Sequence, residues 1–376
     1  FPQDTTAEAI AVQTVNNVEM IVAAGHTLIN GGTGDSDFAV ARFNASTGLL
    51  DTAGFNAGTD GGRQTISFNV AGNNDDRAFD VQIASNNDIL LAGYATATAN
   101  EHDFAVARLV VTGTAANFGT NGKRTINTSS TATGNDEARS LAIEGTGAGE
   151  VIYIGGIAIG SDNQDFAIVK IPGNGNGNVG TFGTAGIMLQ DFRAGINSNE
   201  QLFDLKLQGG NVVAVGSSAE IGGAISIVDF AVASFNSTTG VRNPPEELTT
   251  FTTYQQSAAH AVIFDGTNWL VGGATGLQSD YFNTTYTQTN FAVARYTNAG
   301  SLDKSGTAVS GFGPDGRLIT DLTDVAGEVA DDAAASVIQA DGKILVAGRT
   351  GLFGQNSGIV SRYNTDGTLD LSFGPN

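Results

Sequence analysis

Three histidines, His26, His102 and His260, are the only imidazoles in the 376 residues, and imidazole is the side chain whose ordinary titration spans neutral pH. They stand far apart, without the Asp and Ser partners of a nucleophilic triad or the His-Glu-x-x-His spacing of a metal site. Cysteine is absent, which removes thiol nucleophiles, disulfides and Cys-based zinc sites. Carboxylates gather at one recurrent place: Glu8, Asp75, Asp76, Asp136, Glu137, Glu200, Asp331 and Asp332. Such a ring could hold Ca²⁺, which prefers several oxygen ligands. None of its copies has the dense Asp-x-Asp-x-Asp spacing of a calcium loop. We therefore read it as a solvated rim that caps turns, with no cofactor implied. Cations recur as well, at Arg42, Arg108, Lys170, Arg295 and Arg362, with Ser234 in the remaining copy. Their regularity points to stems packed between sheets and heads placed on carboxylates or carbonyls.

These residues sit in a repeat. Asp37-Phe38-Ala39-Val40-Ala41-Arg42-Phe43 returns at Asp103–Leu109, Asp165–Ile171, Asp229–Phe235 and Asn290–Tyr296, and in a worn form at Ser357–Tyr363. The second positions, 38, 104, 166, 230, 291 and 358, are 66, 62, 64, 61 and 67 residues apart. A period of that size marks an array of supersecondary units. Each unit reads as four strands. The first begins at the recurrent carboxylates, as in Ala7–Gln13. The second is a short apolar run ending in glycine, as in Ile21–Gly25. A glycine recurring there marks a backbone that approaches its neighbour closely. The third is the repeated motif, whose alternation puts Phe38, Val40 and Arg42 on one face and Ala39, Ala41 and Phe43 on the other. The fourth follows a Phe-Gly turn, as in Phe55–Phe68 and Phe118–Asn127. Two prolines at Pro244 and Pro245 break it in the fourth unit, and the sixth unit stops at Asn376 where its fourth strand would begin.

Four-stranded antiparallel repeats stacked by their faces predict an all-β, six-bladed β-propeller in a single domain, the last blade lacking its outer strand. The expected blades cover residues 6–68, 75–127, 136–192, 199–254, 256–322 and 331–376. Three motifs resemble the bacterial delta-60 repeat family. They are Asp-Phe-Ala-x-Ala-Arg-[Tyr/Phe]-Asn, the Leu-Asp with Phe-Gly-x-x-Gly turn, and Val337-Ile338-Gln339-Ala340-Asp341-Gly342-Lys343-Ile344-Leu345-Val346-Ala347-Gly348. That resemblance implies a β-propeller, typically secreted or at the cell surface, and brings no catalytic residues.

Seventeen basic residues against 38 acidic give a formal charge of −21, which excludes nucleic acid as a partner because phosphate contacts need a basic surface. No apolar run is long enough to span a bilayer, so membrane insertion is not expected. The chain begins at Phe1 without a charged and apolar leader, which we read as a processed, exported protein. Departures from the repeat mark function. Tyr281, Phe282 and Tyr286 lie in the longest second-to-third-strand connection, Ala274 to Thr289, and could stack on a glycan. Ile359, Val360, Ser361, Arg362 and Tyr363 form an edge left by the missing strand, a template for strand addition by another copy. The sequence thus predicts a non-enzymatic, secreted or surface interaction propeller. It would be homo-oligomeric, self-assembling into a filament or array through that edge. A carbohydrate-recognition module or a polysaccharide lyase or hydrolase is the alternative.

Overall fold

The computed structural model describes residues 1, 4–29, 35–58, 60–68, 75–98, 101–129, 134–160, 163–221, 227–251, 255–280, 283–306, 312–320, 329–330, 332–350 and 357–374. Among them the chain is all-β; the one helical turn is a three-residue 3₁₀ segment, Gly147–Gly149. Among the described residues no helix is long and apolar enough to cross a membrane. The chain divides into two compact units, residues 1–190 with 238–240 and residues 191–237 with 241–376.

The first unit holds three antiparallel four-stranded sheets in simple up-and-down order. Sheet one is β1 (Thr5–Val15), β2 (Val18–Leu28), β3 (Ser36–Asn44) and β4 (Arg63–Ile66). Sheet two is β5 (Arg77–Ile83), β6 (Ile89–Thr98), β7 (Glu101–Leu109) and β8 (Lys123–Ile126). Sheet three is β9 (Glu137–Glu144), β10 (Val151–Ile159), β11 (Gln164–Pro172) and β12 (Ile187–Gln190). The large and small faces of the repeated motif do what their sizes dictate. Phe38 and Val40 of sheet one share a core with Ala105 and Ala107 of sheet two. Phe104 and Val106 of sheet two share the next core with Ala167 and Val169 of sheet three. Alternating bulk lets the faces interdigitate at interior density.

The second unit departs from the expected pattern. Its first eight strands are β13 (Ser198–Gln208), β14 (Asn211–Glu220), β15 (Val228–Asn236), β16 (Arg242–Thr249), β17 (Gln255–Phe264), β18 (Asn268–Asp280), β19 (Asn283–Thr297) and β20 (Arg317–Thr320). With β21 (Val329–Ala330) they form one nine-stranded sheet. The last sheet, β22 (Asp332–Ile338), β23 (Ile344–Thr350) and β24 (Ser357–Tyr363), has three strands. Six separate blades are therefore not what forms, and that expectation is corrected. The cause is local. In the first unit the start of β3 meets the next sheet through an isolated bridge, Ser36 to Asp75, ahead of β5. Strand β17 is already extended at Gln255, so the corresponding contact, Val228 with Gln256, joins β15 to β17 in parallel.

Pro244 and Pro245 do not abolish a fourth strand. Strand β16 pairs Ser234 with Asn243 and Val232 with Glu247, so the prolines lie in the irregularity between them, on a strand whose outer edge need not donate.

The recurrent cations are structural. Arg42 pairs with Asp51 at 2.6 Å and lies 4.9 Å from the Phe55 ring centroid. Arg295 repeats this with Asp303 and Phe312, and Arg362 with Asp370 and Phe373. Arg108 bridges two buried carboxylates, Asp88 and Glu150.

Candidate functional site

One irregularity recurs at the same station in all six first strands. The ladder slips by one residue, leaving Glu8, Phe79, Arg139, Phe203, His260 and Ala334 as the extra residue of a β-bulge. Bulges bend a strand and re-aim its side chains. The residue before each bulge pairs with the second-strand glycine. There a Cβ would stand 1.9 Å from the Thr6 carbonyl oxygen at Gly25, and 1.8 Å from that of Arg77 at Gly93. In the third and fifth units, where two glycines stand side by side, this role belongs to Gly156 and Gly273 rather than to Gly155 and Gly272.

The bulge fixes what stands next to the glycine. The residues that follow it on the second strand are His26, Tyr94, Ile157, Ser217, Ala274 and Arg349. In the first unit this station carries chemistry. Arg77 is the register partner of Tyr94, and its Nε donates to Asp75 Oδ1 at 2.9 Å. The Tyr94 hydroxyl donates to the other Asp75 oxygen at 2.9 Å, and Ser36 Oγ donates to Asp75 as well. The Tyr94 ring lies flat on His102, with centroids 4.0 Å apart and planes 9° apart. His102 Nδ1 stands 3.6 Å from Glu137, which also pairs with Arg139. Arg139 covers the Phe79 ring at 4.2 Å, and Phe79 touches Tyr94 in turn. At the other end of the band His26 Nδ1 lies 3.8 Å from Glu8.

Main-chain bonds set these groups side by side. The Asp76 amide donates to the Ser36 carbonyl at 2.7 Å, and the Asp136 amide to the His102 carbonyl at 2.8 Å. Each link ties the start of a third strand to the residue just ahead of the next first strand.

Electrostatics divide the carboxyls. Burial works to raise Asp75, but its bonds from Arg77, Ser36 and Tyr94 hold it below the usual carboxylate value. Burial likewise opposes ionisation of Glu137, and His102 with Arg139 overcomes it. Asp76 is 1% exposed, and burial pushes it up to about 6 despite amide bonds from Phe68 and Thr96. Burial first, and Asp75 beside it, hold the Tyr94 phenol well above its ordinary range. His26 is lowered by burial and by Arg77, against the opposing pull of Glu8 and Asp75. Arg77 keeps 38% of its side chain exposed.

The expected acidic rim therefore has two fates. Asp76 and Asp136 turn inward and accept main-chain amides, whereas Glu8, Asp75 and Glu137 form the band. Glu200 is fully buried and accepts a bond from Ser218. Asp331 lies outside the described residues.

The residues singled out by sequence do not join this band. Tyr281 and Phe282 lie outside the described residues. Tyr286 is in β19 opposite Gln278, so much of the expected loop is an extended hairpin. On β24, Tyr363 is 1% and Ser361 5% exposed, whereas Val360 is 49% exposed; Arg362 is held by Asp370. Strand β24 pairs with β23 and ends its sheet.

A cleft of about 600 Å³ lies elsewhere, lined by Phe68, Lys123, Arg124 and Gly175 among others. Its cations already serve the fold, Lys123 donating to the Ser67 carbonyl and Arg124 to those of Gly175 and Gly177. We place the chemistry at the band, where acids, bases and a partly exposed guanidinium converge.

A family described as "Domain of unknown function (DUF5122) beta-propeller" matches residues 339–373. That supports β-propeller repeats without carrying the narrower delta-60 name. Among curated proteins no sequence relative matches. Of solved structures, a polysaccharide lyase of the PL25 ulvan lyase family is similar at TM-score 0.50 and 14% identity, over 93% of this chain and 82% of that one. The polysaccharide lyase Uly1 follows at 0.46 and 10%, over 95% and 77%. A glycoside hydrolase is similar at 0.39 and 11%, over 98% of this chain; the chain spans 62% of that hydrolase's length. Likeness at these identities is a likeness of fold. It still corrects the non-enzymatic expectation: the fold is shared with a polysaccharide lyase, and a regular repeat gives no ground for excluding catalysis.

Proposed function

We propose that this chain is a polysaccharide lyase cleaving uronate-containing polymers by β-elimination at the band around Tyr94 and His102. The carrying observation is the flat stack of His102 on Tyr94, with Arg77 in register beside it. Elimination needs a cation for the uronate carboxylate, a base for the C5 proton and an acid for the leaving oxygen. Arg77 supplies the cation: its Nε is spent on Asp75, and the exposed end of its guanidinium presents a fork suited to a carboxylate. His102 supplies the proton, with its ring fixed by the stack on Tyr94 and Glu137 standing 3.6 Å from its Nδ1.

Hydrolysis fits less well. A glycosidase needs one carboxylic acid kept protonated beside a carboxylate. Asp75 and Glu137 are both held ionised; burial raises Asp37, Asp76 and Asp103, and Asp76, which it raises to about 6, is buried on two amides. The ulvan lyase likeness lends the fold as a precedent and nothing more. Polymers of this kind are met outside cells, so we place the protein in an exported or surface pool.

The test is turnover on a panel of uronate polysaccharides, followed by the ultraviolet absorbance of the unsaturated product. Arg77→Gln should reduce it at least a hundredfold, within the range of about 10²–10⁴ expected for an acid–base group or its electrostatic partner. New reducing ends without that absorbance would replace elimination by hydrolysis, and no cleavage of any polymer would defeat the reading.

A further inference from the structure

The elimination read above requires a base, and the band contains two imidazoles. We infer that His26, backed by Glu8, is the proton acceptor, so that two Glu–His pairs flank Arg77 and divide the acid and base work between them.

The inference rests on the lyase reading and on four placements. First, His26 follows the glycine of β2 as Tyr94 follows that of β6. The same bulged frame therefore delivers both residues beside a first-strand start. Second, the path from His26 to the anchor is short. β2 and β3 pair His26 with Phe38 and Leu28 with Ser36, and Ser36 bonds Asp75, which holds Arg77 and Tyr94. Arg77 is thus within electrostatic reach of His26 and is the register partner of Tyr94, which stacks on His102. A uronate carboxylate on Arg77 would put C5 toward one imidazole and the C4 oxygen toward the other.

Third, the tautomer is set. Nδ1 of His26 is buried without a hydrogen bond, and the Glu8 carboxylate stands 3.8 Å from it. That favours the N–H on Nδ1 and leaves the Nε2 lone pair free. Fourth, the charged groups facing the ring are Glu8, Asp75 and Arg77. Burial and Arg77 together outweigh the two carboxylates and favour the neutral ring, the form that accepts a proton. His102 has one ring face covered by Tyr94, an arrangement suited to a fixed donor.

In the step, the C5–H bond breaks and its proton passes to His26 Nε2. The electron pair becomes the C4=C5 double bond as the C4–O bond breaks. The leaving oxygen takes a proton from His102. His26 then releases its proton to water and His102 regains one, so no other reagent is needed.

The test is the pH profile of kcat/KM for elimination. Activity should rise with pH through a limb set by His26, below the ordinary imidazole value of 6.5. His26→Asn should lower the rate at least a hundredfold and erase that limb, whereas His102→Asn should lower the rate and keep it. Glu8→Gln removes a carboxylate that raises His26, so it should move the limb to lower pH while the fold is retained. An NMR titration of the His26 ring, in the wild type and in Glu8→Gln, should show the same displacement without substrate. An acidic limb that persists in His26→Asn, or an unmoved limb in Glu8→Gln, would overturn the assignment of the base while leaving the lyase reading standing. No elimination by the wild type would overturn both.

Discussion

The two units use one frame for different ends. In the first, the stations around the bulge hold His26, Arg77, Tyr94, His102, Glu137 and Arg139, and polar atoms stay available at the surface. In the second, the same stations are closed among themselves. Ser257 and Thr275, register partners, share a hydroxyl bond at 2.9 Å. Ser218 donates to fully buried Glu200, and Arg193 is bound to Asp229 at 2.6 Å. Ala258 faces Ala274 where Arg77 faces Tyr94. The difference teaches that the bulge-and-glycine frame is architecture, and that function lies in what each repeat places on it.

The largest expected effect tests that contrast directly with two imidazoles. His102→Asn should cost two to four orders of magnitude in elimination rate, the range of a removed acid–base group. His260→Asn should leave the rate within about twofold, because surface-remote side chains off the reacting groups contribute little. His260 occupies the bulge of β17, edge-on to Phe203 at 5.2 Å. Equal losses in both variants, with both proteins folded by circular dichroism, would erase the distinction between the units.

How much of this was legible beforehand depends on which property carries it. The repeat, the large and small faces of Phe38–Phe43 and the Arg42–Asp51 type of pair were readable, because side-chain size and charge are written in residue type. The bulge was not. It is a main-chain slip of one residue, and Glu8, Phe79 and Arg139 share no side-chain character that could announce it. Without the register, Gly155 and Gly156 cannot be told apart, and neither can Gly272 and Gly273. The site was missed for the same reason. His26 and Tyr94, like Arg349, follow the second-strand glycine where other repeats have Ile157, Ser217 and Ala274, a pattern break visible in the sequence once the glycine is the reference point. The nine-stranded sheet was hidden because a single parallel contact at Val228 and Gln256 decides it.

A second, smaller effect is pH-dependent and belongs to the first unit. Asp76 has its carboxyl raised from 3.8 to about 6 by burial. Between those values the folded chain holds a proton that the unfolded chain has released. This group's contribution to stability is therefore full below about pH 4 and is lost as pH rises through 6, amounting to no more than about 3 kcal/mol. Asp75 and Glu137, lowered in the fold, act in the opposite sense and lose their contribution as pH falls through their folded values. Urea unfolding at pH 4.5 and pH 7 should show a smaller change between the two pH values for Asp76→Asn than for wild type, if the two lowered carboxylates contribute less than Asp76 across this window. An unchanged difference would remove Asp76 as the source.

The glycines test the shared frame. Gly93→Ala and Gly273→Ala place a Cβ 1.8 Å and 2.0 Å from a main-chain carbonyl oxygen, so the backbone must shift, at a cost of about 1–3 kcal/mol each. Gly272→Ala meets only the Ser336 side chain at 3.5 Å and should be close to neutral. Thermal melts should therefore show similar losses in the two units. Activity per folded molecule should fall for Gly93→Ala alone, since that shift carries Arg77 away from Tyr94.

The smallest effect comes from the closed stations of the second unit. Ser257 is 1% exposed, as is its partner Thr275. Ser257→Ala leaves the Thr275 hydroxyl buried without that bond, at about 1 kcal/mol or slightly more. Replacing both, Ser257→Ala with Thr275→Val, removes the donor and the acceptor together and should recover most of the loss. The contrast is with Tyr94→Phe in the first unit. There the lost hydroxyl leaves Asp75 with two of its three donors and costs little stability, but it frees the ring on which His102 is stacked. A melt that moves without activity in one unit, and activity that moves without the melt in the other, would be the two units' difference in its simplest measurable form.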